Sequence, residues 1–380
     1  LASGDPSMSD RYWESGEASL AAIADSLYQK GLRSVAGSVF VDVSAWDSTT
    51  VGPTWEVEDL RFPHGATGGA FAIDEGEISV IIKAGPAVGS PASLEWFPKG
   101  TPDYVRARVT TVPPDSGLQV RSNYLPETRH LELTGQIELY ETDTLMFALR
   151  DPVRQATAAL GTAIDQAGIE LQSGAQVAWG EGYRVGRGCL SGSVRECPNA
   201  GLVLTFESPP LSELIAGILK PSQNWMTEQL IRTLGAELGE EGSWSEGVGV
   251  MSEFLTEVVG IDSLDISPRD GSGLSAYNLV TPRALVRILQ YLSSDQNNGA
   301  YRSALATPGE EDSTLQERLS DLEGRVFAKT GTISNVNSLS GYLTRDDGSD
   351  VIFSILSNGS GLPSGQVRGA IDDIVRILAR

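Results

Sequence analysis

Residues 325–343 read RVFAKTGTISNVNSLSGYL, and this stretch decides the architecture of the second half of the chain. Apolar and polar residues alternate on both sides of a short polar turn, which predicts two antiparallel strands. A third alternating run, SDVIFSILSNG, follows at residues 349–359. A closing helix is predicted by four apolar residues at helical spacing: Ile371, Ile374, Val375 and Leu378. The pattern therefore predicts an antiparallel sheet backed by a terminal helix.

Two helices are predicted upstream of this sheet. The first ends at Lys220, because Pro221 disfavours helical geometry in the residue before it. Its apolar stripe is Leu211, Leu214, Ile215, Ile218 and Leu219. The second helix follows almost at once, with one face formed by Trp225, Met226, Leu230, Leu234 and Leu238. The tripeptide Ser222-Gln223-Asn224 therefore lies in a turn between packed helices, where side chains can be held rigidly.

The first half of the chain is rich in predicted strands. Residues 18–42 and 155–179 share one plan, an apolar-striped helix, a glycine near its end and then a strand. Between them we interpret the alternating runs EISVIIKAG, YVRARVTTV and HLELTGQIELY as antiparallel strands. We therefore expect β-rich accessory domains over 1–204, with one module of about 44–130 nested inside the other, and a second region over 205–380.

The composition excludes several classes of protein. Fifty acidic residues against 28 basic ones give a net charge of −22, which disfavours binding to nucleic acid. A hydrophobic fraction of 40 % and a charged fraction of 21 % are typical of a globular chain. No apolar run is long enough for a membrane span, and the opening residues lack a signal-peptide pattern. We expect the chain as given to be soluble.

Cysteine and histidine are scarce. Cys189 and Cys197 bracket a short polar segment and could close a disulfide, which would fit an oxidising compartment; two unpaired thiols are the alternative. His64 and His130 lie far from this pair and from each other, so no metal site is predicted. Serine chemistry would need a base other than histidine.

Two short motifs could carry chemistry. Lys329-Thr330-Gly331, continuing to Thr332, lies on a predicted strand, and Ser222-x-Asn224 lies in the predicted turn upstream. Taken alone, the first could be an exposed strand position, and the second a helix N-cap formed by Ser222 or Asn224. The segments around the two motifs strengthen the case that both are functional. These segments are KPSQNWMTEQLIRTLG, RDGSGLSAYNLVTP, TPGEEDSTLQERL and RVFAKTGTISNVNSLSGYL.

Together these segments strongly resemble the class C low-molecular-mass penicillin-binding proteins. The resemblance extends to the opening SGDPSMS and to GSVFVDVSAWD, so it covers nearly the whole chain. It implies an α+β fold, with a penicillin-binding or serine β-lactamase-like transpeptidase domain preceded by β-rich accessory domains. It also implies an exported, cell-wall hydrolase, secreted or periplasmic: a serine-type D-alanyl-D-alanine carboxypeptidase, with endopeptidase action left open.

The resemblance also implies roles for individual residues and a set of partners. Lys329, Thr330 and Thr332 would hold the substrate carboxylate, and Gly331 would leave room for the substrate against the strand. Asn224 would hold the acyl-side amide, Ser222 would relay a proton to the leaving amine, and the Thr332 N–H would be an oxyanion donor. The expected partners are a peptidoglycan stem peptide ending in D-Ala-D-Ala and β-lactam antibiotics, with no cofactor.

One element of the family is absent. None of the five lysines has a serine three residues before it, so the Ser-x-x-Lys motif, which supplies nucleophile and base, is not in this sequence. In the family this motif precedes the accessory domains, and we therefore expect a truncated chain that lacks the N-terminal part of the transpeptidase domain. Ser272 lacks a Gly-x-Ser-x-Gly elbow and is interpreted as part of a structured loop that shapes the cleft.

Three alternatives remain open at this point. A non-catalytic peptidoglycan-binding homologue would share every motif and differ only in lacking the upstream serine. A β-lactamase would share the motifs, but about 200 residues of accessory domain are more than a compact lactamase needs. A structural or adhesive surface protein would carry the motifs by accident and would not be labelled by any β-lactam.

Overall fold

The computed structural model describes residues 2–98, 105–125, 130–178, 204–294 and 298–380. These residues form two compact units. The first unit contains residues 1–51 and 55–208, and the second contains residues 52–54 and 209–380. No helix in the described ranges is both long and apolar enough to cross a membrane.

A repeated helix-and-strand plan frames the first unit, as the sequence predicts. Helix α1 (Gly16–Gln29) is capped by the Ser15 side chain, and helix α2 (Pro152–Gln166) by that of Asp151. Each helix is followed by two short strands: β1 (Ser34–Val35) and β2 (Val39–Asp42), and β9 (Glu170–Leu171) and β10 (Ala175–Ala178). β1 pairs with β9 and β2 with β10, both in parallel.

Two three-stranded sheets lie in sequence between these repeats. Their strands are β3 (Glu77–Lys83), β4 (Ser93–Phe97), β5 (Val105–Val112), β6 (Gln119–Leu125), β7 (His130–Glu138) and β8 (Thr142–Ala148). The first sheet has the order β4-β3-β8, all antiparallel, and the second has the order β5-β7-β6. Apolar residues of both sheets, including Ile78, Val80, Leu131 and Leu133, share one core.

The prediction that all these strands are antiparallel is wrong for one pair. β5 and β7 run parallel, with Val105 opposite Leu131, while β6 pairs with the other edge of β7 in antiparallel fashion. Alternation of apolar and polar residues fixes which face of a strand is buried, and it contains no information about the direction of the neighbouring strand.

Helices dominate the first part of the second unit. Helix α3 (Leu211–Leu219) ends with Lys220 as its C-cap, as predicted, and buries Leu214 and Ile218, while Leu211 is exposed. The helices are α3 (Leu211–Leu219), α4 (Asn224–Leu238), α5 (Trp244–Glu253) with a π-helical continuation (Phe254–Val258), α6 (Pro282–Ser294) and α7 (Asn298–Ala304). A small antiparallel pair is formed by β11 (Ile266–Ser267) and β12 (Leu279–Val280).

The buried face predicted for α4 is wrong at its C-terminal end. Leu234 and Leu238 are 37 % and 69 % exposed, whereas Glu228, Gln229 and Arg232 are each only 1 % exposed. An apolar count assigns polar residues to the solvent face, but a polar side chain can be buried when its hydrogen bonds are made inside the protein.

The predicted C-terminal sheet and helix are confirmed. Strands β13 (Val326–Ile333), β14 (Val336–Thr344) and β15 (Asp350–Asn358) form an antiparallel sheet in that order, and α8 (Ser364–Leu378) follows. Ile371 and Val375 of α8 join the core on one face of the sheet, whereas Ile374, which was also predicted for the apolar stripe, is 44 % exposed. Leu289 of α6 and Tyr342 of β14 belong to a separate apolar cluster. β13 is an edge strand of this sheet.

Candidate active site

The turn between α3 and α4 holds Ser222 in an unusual conformation. Ser222 has a φ of 66°, in the left-handed region that residues other than glycine rarely adopt. The backbone on both sides is fixed, because Gln223 N–H donates to the Ile218 carbonyl (2.9 Å) and Thr314 N–H donates to the Lys220 carbonyl (3.0 Å). Such sparsely populated conformations cluster at functional sites, where the surroundings enforce them.

The N-cap of α4 is Gln223. Its side-chain oxygen accepts a hydrogen bond from Met226 N–H at 3.2 Å. The alternative that Ser222 or Asn224 is present to cap this helix therefore does not apply. Asn224 is the first residue of α4, and the Ser222 and Asn224 side chains are both half-buried.

Lys329 of β13 joins the two sequence motifs. Its Nζ donates to Ser222 Oγ at 2.6 Å and to the Thr330 carbonyl at 2.8 Å. Burial lowers the pKa of the Lys329 ammonium to about 8. In the described part of the chain no carboxylate forms an ion pair with Lys329, so its charge is available to an anionic ligand.

Beyond its bridge at Ala328, the outer edge of β13 pairs with no described strand and supplies backbone groups beside this contact. Ala328 N–H donates to the Ala306 carbonyl at 3.0 Å, so Ala328 directs its backbone groups away from β14. Alternate residues of a strand direct these groups the same way, which places the N–H and carbonyl of Thr330 and Thr332 on that edge. The Thr332 side chain is exposed and that of Thr330 is half-buried.

Gly331 lies directly opposite Ser338 on β14. A Cβ added at Gly331 would lie 2.4 Å from Ser338 Oγ, far inside van der Waals contact. A side chain at Gly331 would therefore require the Ser338 hydroxyl to rotate away.

Ser272 lies in a structured loop, as predicted. Its N–H donates to Glu228 Oε1 at 2.7 Å, and its Oγ accepts from Leu274 N–H at 3.2 Å. Sequence reasoning missed Glu228, although its position four residues after Asn224 places it on the same face of α4.

Cys189 and Cys197 lie outside the described residues. Among the residues that are described, no group of three or more His, Cys, Asp or Glu side chains could hold a metal ion.

The arrangement combines a desolvated cation, a hydroxyl held by it, and an open strand edge. An extended peptide can pair with such an edge through its backbone. A carboxylate at the end of that peptide can meet the ammonium and nearby hydroxyls, and the serine can pass a proton. The whole chain, residues 1–380, matches the model of the D-Ala-D-Ala carboxypeptidase 3 (S13) family. The chain belongs to this family.

Individual similar proteins agree with that assignment. The chain is 28 % identical over 385 residues to the D-alanyl-D-alanine carboxypeptidase of Actinomadura sp. (strain R39), covering 98 % of this chain and 67 % of that protein. It is 24 % identical to the penicillin-sensitive carboxypeptidase A of Dictyostelium discoideum, covering 86 % of this chain and 62 % of that protein. The chain thus spans about two thirds of the length of these relatives.

The fold is that of a solved penicillin-binding protein. Penicillin-binding protein 4 of Haemophilus influenzae matches with a TM-score of 0.79 at 21 % identity, over 98 % of this chain and 81 % of that chain. Its complex with a β-lactam matches with a TM-score of 0.76 at 20 % identity, over 100 % of this chain and 80 % of that one. The family expected from the motifs and the α+β fold are both confirmed.

Proposed function

We propose that this chain supplies the substrate-holding and electrostatic part of a D-alanyl-D-alanine carboxypeptidase that also binds penicillins. The observation that supports this most strongly is the 2.6 Å hydrogen bond from Lys329 Nζ to Ser222 Oγ beside the open edge of β13. Family membership suggests the class of reaction. The contact between Lys329 and Ser222 would supply the positive charge and the hydroxyl that this reaction needs.

In the proposed reaction, the terminal D-alanine carboxylate binds beside Lys329 and β13. Lys329 provides the positive charge, and the hydroxyls of Thr330 and Thr332 provide hydrogen bonds. Asn224 holds the amide on the acyl side, and the Thr332 N–H donates to the oxyanion. Gly331 lets the peptide approach the strand.

The covalent step needs a serine. Its Oγ attacks the carbonyl carbon of the D-Ala-D-Ala peptide bond, its proton goes to a base, and the amine of D-alanine leaves with a proton relayed through Ser222. Water then attacks the ester and restores the serine. Because Lys329 donates to the Ser222 oxygen, the Ser222 hydrogen remains available for donation to the leaving amine.

The nucleophile and base lie outside the motifs found here. The family's Ser-x-x-Lys is absent from residues 1–380, so each test of activity uses the full-length protein with whatever sequence its gene encodes around these residues. This absence is also the observation that favours the second candidate, a peptidoglycan-binding homologue without catalysis.

Penicillins are proposed as ligands of the same site. Two of the similar proteins are called penicillin-sensitive or penicillin-binding, and one was solved with a β-lactam. A penicillin also carries a carboxylate, for which Lys329 and the strand-edge hydroxyls are suited. Since peptidoglycan lies outside the cytoplasmic membrane, the proposal includes export to the periplasm or cell-envelope exterior.

The test is to incubate full-length protein with fluorescent penicillin and with a stem-peptide analogue ending in D-Ala-D-Ala. We expect covalent labelling and release of D-alanine. Lys329→Ala should lower both rates by about 100-fold or more, since a buried charge contact to the substrate is lost. The control Lys83→Ala changes an exposed lysine of β3 and should match wild type.

Three results separate the candidates. Reversible binding of the stem peptide without labelling would support the non-catalytic homologue. Labelling followed by rapid release of hydrolysed penicillin would support a β-lactamase. Wild-type rates in Lys329→Ala would remove Lys329 from the site.

A further inference from the structure

The loop after β11 has an unusual pattern of hydrogen bonds. From Gly271 to Ser275, each of five successive backbone N–H groups donates to a side chain. The acceptors, in order, are Glu228 Oε2 (3.1 Å), Glu228 Oε1 (2.7 Å), Asp270 Oδ1 (2.8 Å), Ser272 Oγ (3.2 Å) and Asp270 Oδ2 (2.7 Å). Side-chain acceptors on every amide give this irregular segment, which we call the 271–275 loop, one defined shape.

Two carboxylates, those of Asp270 and Glu228, hold this loop in different ways. Asp270 maintains the internal shape, because it also accepts from Asn278 Nδ2 at 2.7 Å. Glu228 belongs to a different element, α4, and so ties the loop to that helix. The contact is close, since a Cβ on Gly271 would lie 2.9 Å from the Thr227 carbonyl oxygen of α4.

Glu228 itself is held from a second side. Trp244 Nε1 of α5 donates to Glu228 Oε2 at 2.7 Å. Helix α5 reaches this position because Gly247 packs against α4, where a Cβ would lie 1.9 Å from the Ile231 carbonyl oxygen. Glu228 is 1 % exposed, and its two oxygens accept three N–H donors in all.

The position of Glu228 connects this anchor to the candidate active site. Residues four apart in a helix lie on one face, and helical side chains lean towards the N-terminus. Glu228 therefore extends towards the first turn of α4, which begins at Asn224. The 271–275 loop is thus fixed to the face of α4 that also carries Asn224.

We propose that Glu228 is a positioning residue, whose carboxylate fixes the 271–275 loop onto α4 and thereby sets the placement of Asn224 in the site. This inference rests on the proposed function. It assigns Glu228 no contact with the substrate; Glu228 acts through Asn224.

Glutamine cannot replace Glu228 in this role. Its partners include three N–H donors, of Gly271, Ser272 and Trp244, whereas an amide offers one acceptor oxygen and one NH₂ donor. In either orientation the NH₂ group would face at least one backbone or indole donor. Because Asp270 maintains the internal shape of the loop, we expect Glu228→Gln to shift the loop from α4 without unfolding the protein.

The first experiment is a double-mutant cycle on acylation of the full-length protein by fluorescent penicillin. Glu228→Gln should lower the second-order rate constant by about 10- to 100-fold, the scale of a misplaced positioning group. If Glu228 acts through Asn224, the double variant Asn224→Ala/Glu228→Gln should react no more slowly than Asn224→Ala alone.

The matched control is Glu246→Gln. Glu246 lies on α5 and accepts a loop N–H, that of Glu240 at 3.2 Å, so it tests the same chemical change away from Asn224. It should react at the wild-type rate. The inference is overturned by wild-type rates in Glu228→Gln, by losses that multiply in the double variant, or by an equal loss in Glu246→Gln.

Amide hydrogen exchange tests the anchor independently of activity. In Glu228→Gln, the amides of Gly271 and Ser272 should exchange faster than in wild type, while those of Gly273 and Ser275 stay protected by Asp270. Unchanged exchange at Gly271 and Ser272 overturns the anchor even if acylation falls. A wild-type protein that penicillin does not acylate would instead overturn the proposed function.

Discussion

Buried carboxylates face different numbers of hydrogen-bond donors in the two units. In the first unit, burial raises the pKa of Glu77 to about 8 and that of Asp74 to about 6, and nearby carboxylates add to both shifts, while Arg11 opposes the first and a hydrogen bond from Gly16 N–H opposes the second. In the second unit, burial and the neighbouring Asp270 also raise the pKa of Glu228, but hydrogen bonds from the Ser272 side chain, the Trp244 indole and the Gly271 N–H oppose the shift. Burial alone favours the protonated acid, whereas burial with saturated acceptors lets a carboxylate organise the backbone around it.

The largest effect is expected from deleting the saturated carboxylate. Glu228→Leu would leave the Trp244 indole and two backbone N–H groups buried without an acceptor. We expect the free energy of unfolding to fall by about 3–5 kcal/mol, because each unpaired buried donor is destabilising. Chemical denaturation of the variant measures this. A loss below that of Glu246→Leu would show that the buried network contributes little.

Removing Glu77, whose carboxylate accepts no hydrogen bond from the described residues, should change stability in the opposite direction. The pKa of Glu77 is raised from 4.5 to about 8 in the folded protein. Between these pH values the folded state therefore keeps a proton that the unfolded state has released. Stability from this group is therefore full below about pH 4.5 and falls as the pH rises to about 8. Glu77→Gln should raise the free energy of unfolding at pH 8 by about 2 kcal/mol, with little change at pH 4. Equal effects at both pH values would contradict this.

The pKa of Lys329 can be measured directly and reports whether its ammonium is desolvated. The chain has only five lysines, so an NMR titration of labelled lysine side chains gives a simple spectrum. One signal, absent in Lys329→Arg, should titrate near pH 8. Since the ammonium loses its charge above this pH, penicillin acylation should fall as the pH rises through about 8. A Lys329 signal that titrates near the ordinary value of about 10.4 would show that the site is not desolvated.

The smallest effect is expected on the exposed face of α4. Leu238→Gln should change the free energy of unfolding by less than about 0.5 kcal/mol, because Leu238 is 69 % exposed. Ile231→Ala, on the buried face, should lower it by about 2–4 kcal/mol. Equal losses in the free energy of unfolding from the two substitutions would indicate that Leu238 is buried, as the apolar spacing predicted.

Local pattern was enough for most of the elements and for the pairing of the two motifs. Alternation predicted β13 to β15, Pro221 predicted the end of α3, and the motifs placed Lys329 and Ser222 in one site. The buried face of α4 could not be predicted in this way, because Glu228 and Arg232 are buried through partners that lie far away in sequence. The parallel pairing of β5 with β7 was missed for a similar reason, since strand direction depends on the path of the chain between strands.

The most direct test of the central claim is the intact mass of the full-length protein after incubation with penicillin. We expect the mass to increase by one covalently bound penicillin in wild type and in Lys83→Ala. The increase should be strongly slowed in Lys329→Ala, because the charge that holds the penicillin carboxylate is gone. An unmodified wild-type protein, or a Lys329→Ala variant that is modified as fast as wild type, would contradict the claim that Lys329 and Ser222 form the penicillin-binding site.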